Sequence, residues 1–373
     1  MSTFIERMLG GNVGDIVTIE PDYIVINDGI SNAAVEEIFT VAAPEKVLVI
    51  YDHDVPTGRP EAAEILKKNL KFAQNYGCLY IQAQGVGYQY MLKNMVKEKQ
   101  IILGGGSHGS IFGAKQALGI DVSIPELARA VETDRYSTVV PETVYISVEG
   151  SLNEGISAMD LALKILSMSE NIKGKAIEFY VPGLSQHERE VLCSMGTFTG
   201  AFCAALTDKE PESALKIYAK DITPMIIEPC EERRFQSEAR ISEKIKIQGQ
   251  EFQAGQIGGY TGGTIEELRK AAELIEGKEL ALGFRLTVCP ATGNDYVMAA
   301  KEGILSKFID FGAQISAVGD HSVVVQGPGA MGPGENLITT GLYTFSGAMG
   351  CEDAKVYTAS VESVIAAAIS KRI

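Results

Sequence analysis

The chain has 373 residues, 46% of them apolar and 22% charged, with a formal charge of −15. That length suffices for two or three domains with their own cores. The acidity argues against nucleic acid and anionic membrane as partners, and no apolar run reaches the roughly 18 residues of a membrane span.

Glu6 and Arg7 interrupt the N-terminal stretch, so no export signal and a cytoplasmic location are expected. Residues Asp15 to Ile26 alternate around Pro21 and predict one or two strands ending at Asn27-Asp28-Gly29. A helix is expected from Ser31 to Phe39. The continuous run Val47 to Tyr51 predicts a strand covered on both faces, ending in Asp52-His53-Asp54-Val55-Pro56. Arg59 to Tyr76 reads as a long helix, with Pro60 near its start and Gly77 just past its end. Leu79 to Gln82 is a short strand, followed by a loop from Ala83 to Gln89. Ile101 to Leu103 is a strand end, and Gly104-Gly105-Gly106-Ser107-His108 follows it. Glycines there let a backbone approach a ligand closely. This is not a phosphate loop, because the Lys-Ser/Thr ending is missing.

Pro141 to Val148 predicts a strand and Ser157 to Met168 an amphipathic helix. Ser185 and Glu188 form a capping-box pattern that opens a helix expected to run to Cys203. The charged stretch Lys209 to Lys246, broken by Pro211, Pro224 and Pro229, reads as the end of a second domain and a linker. A third region opens near Phe252. Gly255 to Gly263 is a second glycine-rich turn, and Thr264 with Glu267 predicts a capping box for a helix from Ile265 to Ile275. Strands are expected over Phe284–Val288 and Leu337–Thr340, and helices over Asp295–Glu302 and Ser360–Ser370. Gln314 to Val318 leads to Gly319-Asp320-His321, and a glycine-rich loop runs on to Glu335. Strands alternating with helices predict mostly parallel sheets. The domain boundaries expected are 1–137, 138–245 and 246–373.

Of four histidines, His53, His108 and His321 directly follow predicted strands; only His187 does not. Imidazole suits proton transfer near neutral pH and metal ligation. Asp52 and Asp54 flank His53, and Asp320 precedes His321, so each has a carboxylate at hand to orient it. The pattern leaves acid–base and metal chemistry both open. The six cysteines are scattered without close ligand spacing and read as free thiols of a reducing compartment.

With PEKVLVIYDHDVP, GGGSHGSIFGA, VPETVYISVEGSLNEGISAMDLALKIL, GGYTGGTIEELRKAAELI and MGCEDAKVYTAS, the chain resembles the large subunit of isopropylmalate dehydratase, within the aconitase superfamily. The resemblance implies three α/β/α domains around a central cleft. It implies a hydro-lyase acting on a hydroxy-carboxylic acid, beside a small swivel-domain subunit that carries the base. Asp52 and His53 would handle the departing hydroxyl, and Ser107 and His108 would line the pocket. Asp28, Tyr88, Gln89, Ser107, Tyr260 and Thr261 are the candidate substrate-binding residues.

The departures from the family pattern are specific. The three cysteines that hold its 4Fe–4S cluster correspond here to Tyr260, Asp320 and Val323. The asparagine–arginine segment that grips carboxylates becomes Gly341 to Ala348; an aspartate becomes Gly106, and a pocket histidine becomes Tyr88. Tyr, Asp and Val cannot supply a cluster's thiolates. The first reading is therefore a cluster-free hydro-lyase or isomerase with Asp52, His53, His108, Asp320 and His321 as catalytic residues. A variant binds a single divalent metal ion through Asp320 and His321, with His53 or His108 added. The other class is a non-catalytic paralogue that binds a metabolite or scaffolds a partner.

Overall fold

The computed structural model describes residues 2–29, 31–230, 240–321 and 329–373. Three largely parallel sheets carry the α/β fold expected from the alternating pattern. In the first, the strands lie in the order Leu79–Gln82, Val47–Tyr51, Tyr23–Asn27, Ile101–Gly104, Leu118–Asp121. Counted along the chain, that is third, second, first, fourth, fifth. The second sheet runs Cys203–Leu206, Ala176–Tyr180, Thr143–Glu149, Leu215–Tyr218, the same order one strand short. The third sheet repeats it in full with Gln314–Ile315, Arg285–Val288, Ala254–Ile257, Asn336–Thr339 and Lys355–Ala359. Antiparallel strands Met225–Ile227 and Ile241–Glu243 extend its edge.

This order matters for the site. The chain leaves the first strand on one side and returns on the other, which opens a crevice beyond the carboxyl ends of the first and fourth strands. In the first sheet, Asp28 and Gly104 to His108 stand there. In the third, Gly258 to Thr261 and Thr340 to Tyr343 do. The two crevices face each other. Val86 N–H donates to the Ala291 carbonyl at 2.7 Å and Gly293 N–H to the Gln84 carbonyl at 3.0 Å, tying the first region to the third.

Local sequence explains most elements. Val47–Tyr51 is buried at every position, as its unbroken apolar run requires. The helix Pro60–Tyr76 begins on its proline and stops at Gly77, whose φ of 75° is left-handed. Each sheet packs its own apolar cluster, with Leu103 and Leu127 in the first, Phe179 and Leu192 in the second, Leu268 and Phe308 in the third.

Four expectations need correcting. The helix opened by the Ser185–Glu188 capping box ends at Ser194, and Cys203 instead begins a strand. Gly196 lets the chain press on Ala204, where a Cβ would come within 2.4 Å, and Gly200 has φ 79°. Tyr88 and Gln89 lie in the helix Gly87–Asn94 rather than a loop. The stretch read as a linker carries strands Leu215–Tyr218, Met225–Ile227 and Ile241–Glu243. Thr264 makes no side-chain cap; Ile265 N–H donates to Asp295 at 3.1 Å, and Glu267 pairs with His187 instead. Val323 lies outside the described residues. Among the described residues, no helix is long and apolar enough to cross a membrane.

Candidate active site

The site starts from Asp28, at the carboxyl end of the first strand. Its carboxylate accepts the backbone N–H groups of Asp52 at 3.1 Å, His53 at 2.9 Å and Asp54 at 2.9 Å. It thereby holds the loop after Val47–Tyr51 in a turn, which lets adjacent Asp52 and His53 meet. His53 Nδ1 donates to Asp52 Oδ1 at 2.7 Å and lies 3.1 Å from Asp28 Oδ1. The other oxygen of Asp52 accepts Gly87 N–H at 2.7 Å. Two buried carboxylates thus fix the tautomer and aim of one imidazole. The His53 side chain keeps 23% of its exposure, and its Nε2 lies 3.8 Å from Asp320 Oδ2.

Burial opposes a charge on His53, but the Asp52 charge and the bonds to Asp28 and Asp52 outweigh it and hold the imidazole well above its ordinary value. Asp28 is likewise opposed by burial, yet its bonds to His53 and the loop hold it below the carboxylate range. Burial pushes Asp52 up, with the His53 charge pulling back. The carboxylates around His53 thus favour the protonated imidazole.

Asp320 is brought here from the third sheet; its N–H donates to the Asp52 carbonyl at 2.9 Å. His321 is not. Its Nε2 donates to the Val55 carbonyl at 2.9 Å, and its Nδ1 faces Ser316 Oγ at 3.1 Å and Cys289 Sγ at 3.3 Å. Both ring nitrogens are occupied, and burial holds the ring neutral. It clamps the first region to the third.

His108 forms the second arm. Its ring stacks on Tyr260, with 3.7 Å between centroids and 13° between planes, and tilts against Phe198 at 4.6 Å. Nδ1 meets Ser194 Oγ at 3.0 Å. Burial pushes His108 down to about 3, with the Asp320 charge pulling it up and the His53 charge pushing it further down. Ser107 Oγ and Tyr343 Oη are 2.7 Å apart. Tyr88 is buried beside Tyr260, 6.1 Å between ring centroids, and its hydroxyl has no hydrogen-bond partner among the described residues. Gln89 Nε2 donates to the Tyr260 carbonyl at 2.7 Å, while its Oε1 is buried without a partner among the described residues; Thr261 donates to the Thr340 carbonyl at 3.3 Å and serves the wall.

The structure thus gathers Asp28, Asp52, His53, Ser107, His108, Tyr260 and Asp320 and leaves out His321. It adds Ser194, Phe198 and Tyr343. Tyr343 carried a signal, since it stands in the segment that replaces the family's asparagine and arginine; Ser194 and Phe198 carried none.

The thiols do not fit a three-thiolate cluster. Cys78 and Cys203 pack with the first core, Cys193 with the second, and Cys351 beside Met349 and Val356. Cys289 abuts His321, and Cys230 lies 3.8 Å from Thr344 Oγ1. Burial pushes Cys78 up to about 11 and Cys289 to about 12, away from the thiolate a metal needs. Among the described residues, the donor atoms of Asp28, Asp52 and His53 lie within 4.8 Å of one another. That set, rather than Asp320 with His321, has the composition for a single divalent cation.

These features define an α/β protein with a cleft between parallel sheets, built around an imidazole clamped by carboxylates. The sequence matches the model of the Aconitase family (aconitate hydratase) over residues 16–210 and 206–371, and the chain belongs to that family. It is 26% identical to the homoaconitase large subunit of Thermus thermophilus, across 99% of this chain and 96% of that protein. It is 28% identical to the 3-isopropylmalate dehydratase large subunit of Picrophilus torridus, across 100% and 98%. The crystal structure of Thermococcus kodakaraensis aconitase X in its holo form shares the fold, with a TM-score of 0.57 at 13% identity over 98% of this chain and 96% of that one.

Proposed function

We propose that the chain is the large subunit of a hydro-lyase that eliminates water from a small hydroxy-carboxylic acid without an iron–sulfur cluster. The observation that carries this reading is His53, locked through Nδ1 by Asp52 and Asp28, with Nε2 turned to the cleft and Asp320 3.8 Å away. His53 Nε2–H donates its proton to the leaving hydroxyl, the C–O bond breaks and water departs. The pair of electrons released from the neighbouring C–H bond becomes the C=C bond. Asp320 balances the imidazolium charge. Neutral His108 and the hydroxyls of Ser107 and Tyr343 orient the substrate carboxylate and hydroxyl. The base that removes the carbon-bound proton comes from a small subunit; relatives named as large subunits support this.

The test is dehydration of a panel of small hydroxy acids, 3-isopropylmalate among them, followed by the ultraviolet absorbance of the conjugated product. The chain is assayed alone and with a small subunit. His53→Gln is expected to cost on the order of 10²–10⁴ in rate. No turnover in any combination, or full activity in His53→Gln, would overturn the reading and leave a non-catalytic binding protein.

A second reading, a single divalent cation at Asp28, Asp52 and His53, is favoured by their closeness. The first is preferred because Asp28 already accepts three backbone N–H groups and Asp52 a fourth. About one equivalent of metal in the purified protein, lost in His53→Ala, would reverse that preference.

A further inference from the structure

A cavity of about 310 Å³ opens where Ala114 and Gln116 meet the second sheet, beyond the carboxyl ends of the strands Ala176–Tyr180 and Cys203–Leu206. It is of the size that takes a small metabolite. Its floor is apolar, from Phe179, Val181 and Leu206. Its polar rim holds one cation, Arg189, and one carboxylate, Asp208. Arg189 Nε is buried with no hydrogen-bond partner among the described residues. The Arg189 side chain lines the cavity, where an anion could pair with the guanidinium whose Nε the protein leaves without a partner. One cation, one anion and an apolar floor match a zwitterion with a hydrocarbon body.

The cavity also has a mechanical link to the cleft. Gln186 is the first residue of the helix Gln186–Ser194, and Ser194 is the residue that bonds His108. Ala114 and Gln116 sit at the end of the 3₁₀ stretch Gly109–Lys115, which begins right after His108 and spans roughly 14 Å at about 2 Å per residue. Two long bonds close the rim: Gln186 Nε2 to the Ala114 carbonyl at 3.4 Å and Gln116 Nε2 to the Leu206 carbonyl at 3.5 Å. Both lie at the weak end of the hydrogen-bond range, so a ligand that competes for these amides shifts the ends of both elements. Gly113 keeps the stretch rigid against the second sheet, since a Cβ there would meet the Ala204 carbonyl at 2.0 Å.

We propose that this cavity binds a small aliphatic α-amino acid, its carboxylate on Arg189 and its ammonium on Asp208, and that occupancy is transmitted to His108 along Gln186–Ser194 and Gly109–Lys115. The site is separate from the cleft, and it stands whether or not the hydro-lyase reading holds. The test is calorimetric titration of the full chain with L-leucine, and with leucinamide and isocaproate, which each lack one charge. Leucine is expected to bind at micromolar to millimolar concentration, and each analogue at least about tenfold more weakly, roughly 1.4 kcal/mol. Arg189→Gln and Asp208→Asn should each weaken leucine by a similar factor. Parallel spectra of the imidazole protons should show His108 moving on addition of leucine. No binding, equal binding of the analogues, or binding that survives both substitutions overturns the site. Binding with an unmoved His108 signal overturns the transmission.

Discussion

Tyr260 lies flat against His108, 3.7 Å between ring centroids, at the position where the resemblance places a cluster cysteine. The ring covers one face of the imidazole, and both side chains are buried. That burial is why His108 stays neutral, pushed down to about 3.

Tyr260→Phe keeps the stack and should fold and titrate like the parent. Tyr260→Ala removes a buried ring and should cost about 3–5 kcal/mol in denaturant unfolding. It should also let water reach His108, so that its titration, followed by imidazole proton shifts, moves up toward the ordinary histidine range. An unchanged titration in Tyr260→Ala would separate the stack from the neutrality of His108.

Acid stability follows from the same residue. A histidine whose folded value lies below its unfolded value binds more protons when unfolded, so stability falls as pH drops. For His108 the loss begins near the unfolded value of about 6.5 and continues toward about 3. A buried group shifted this far contributes a few kcal/mol. His108→Gln should therefore show a shallower decline of unfolding free energy between about pH 6.5 and 4 than the parent. Parallel slopes in the two proteins would show that acid sensitivity arises elsewhere.

Much of this site was legible in sequence because it sits where strands end. Asp28, His53, His108 and Asp320 could be picked out from glycine- and aspartate-rich turns after apolar runs, and parallel topology brings such turns to one edge. What sequence could not show was direction. His321 follows a strand as His53 does, yet it points into a junction and spends both nitrogens there. The pattern Thr264-x-x-Glu267 has the local form of a capping box, but Glu267 meets His187 Nε2 at 2.8 Å, 80 residues away in sequence. Asp28 looked like a pocket residue and serves as the anchor of the His53 loop. In each case a long-range partner outbid a local one.

Asp121 offers a test with the opposite sign. Its two oxygens each lie 3.1 Å from Gly109 N, directly after His108. Burial pushes its carboxyl up to about 7. A carboxyl raised on folding prefers its proton, so the charged form is a penalty that is absent below about pH 4 and complete above about pH 7. Asp121→Asn keeps an acceptor for Gly109 and removes the charge. It should raise the unfolding free energy by at least about 1 kcal/mol at pH 8 and leave it unchanged at pH 4. A loss of stability at pH 8 would mean that the charge itself holds the loop.

The junction that brings His53 and Asp320 together turns on Gly85. Its φ of 99° is left-handed, and a Cβ there would sit 2.1 Å from the Ala291 carbonyl and 2.5 Å from Thr292 Cα. Those atoms are backbone and have little freedom to yield. Next to Gly85, Val86 N–H donates to that same Ala291 carbonyl at 2.7 Å, and Gly87 N–H holds Asp52. Gly85→Ala should therefore cost about 1–3 kcal/mol, with strain at positive φ adding to the clash. The damage should spread to the site, because the same turn carries the N–H that fixes Asp52 and hence His53. The expected result is a lowered unfolding midpoint together with a His53 titration shifted down toward the ordinary histidine value, read from imidazole proton shifts. A variant that loses stability but keeps the parent His53 titration would show that Asp28 alone suffices to clamp the imidazole.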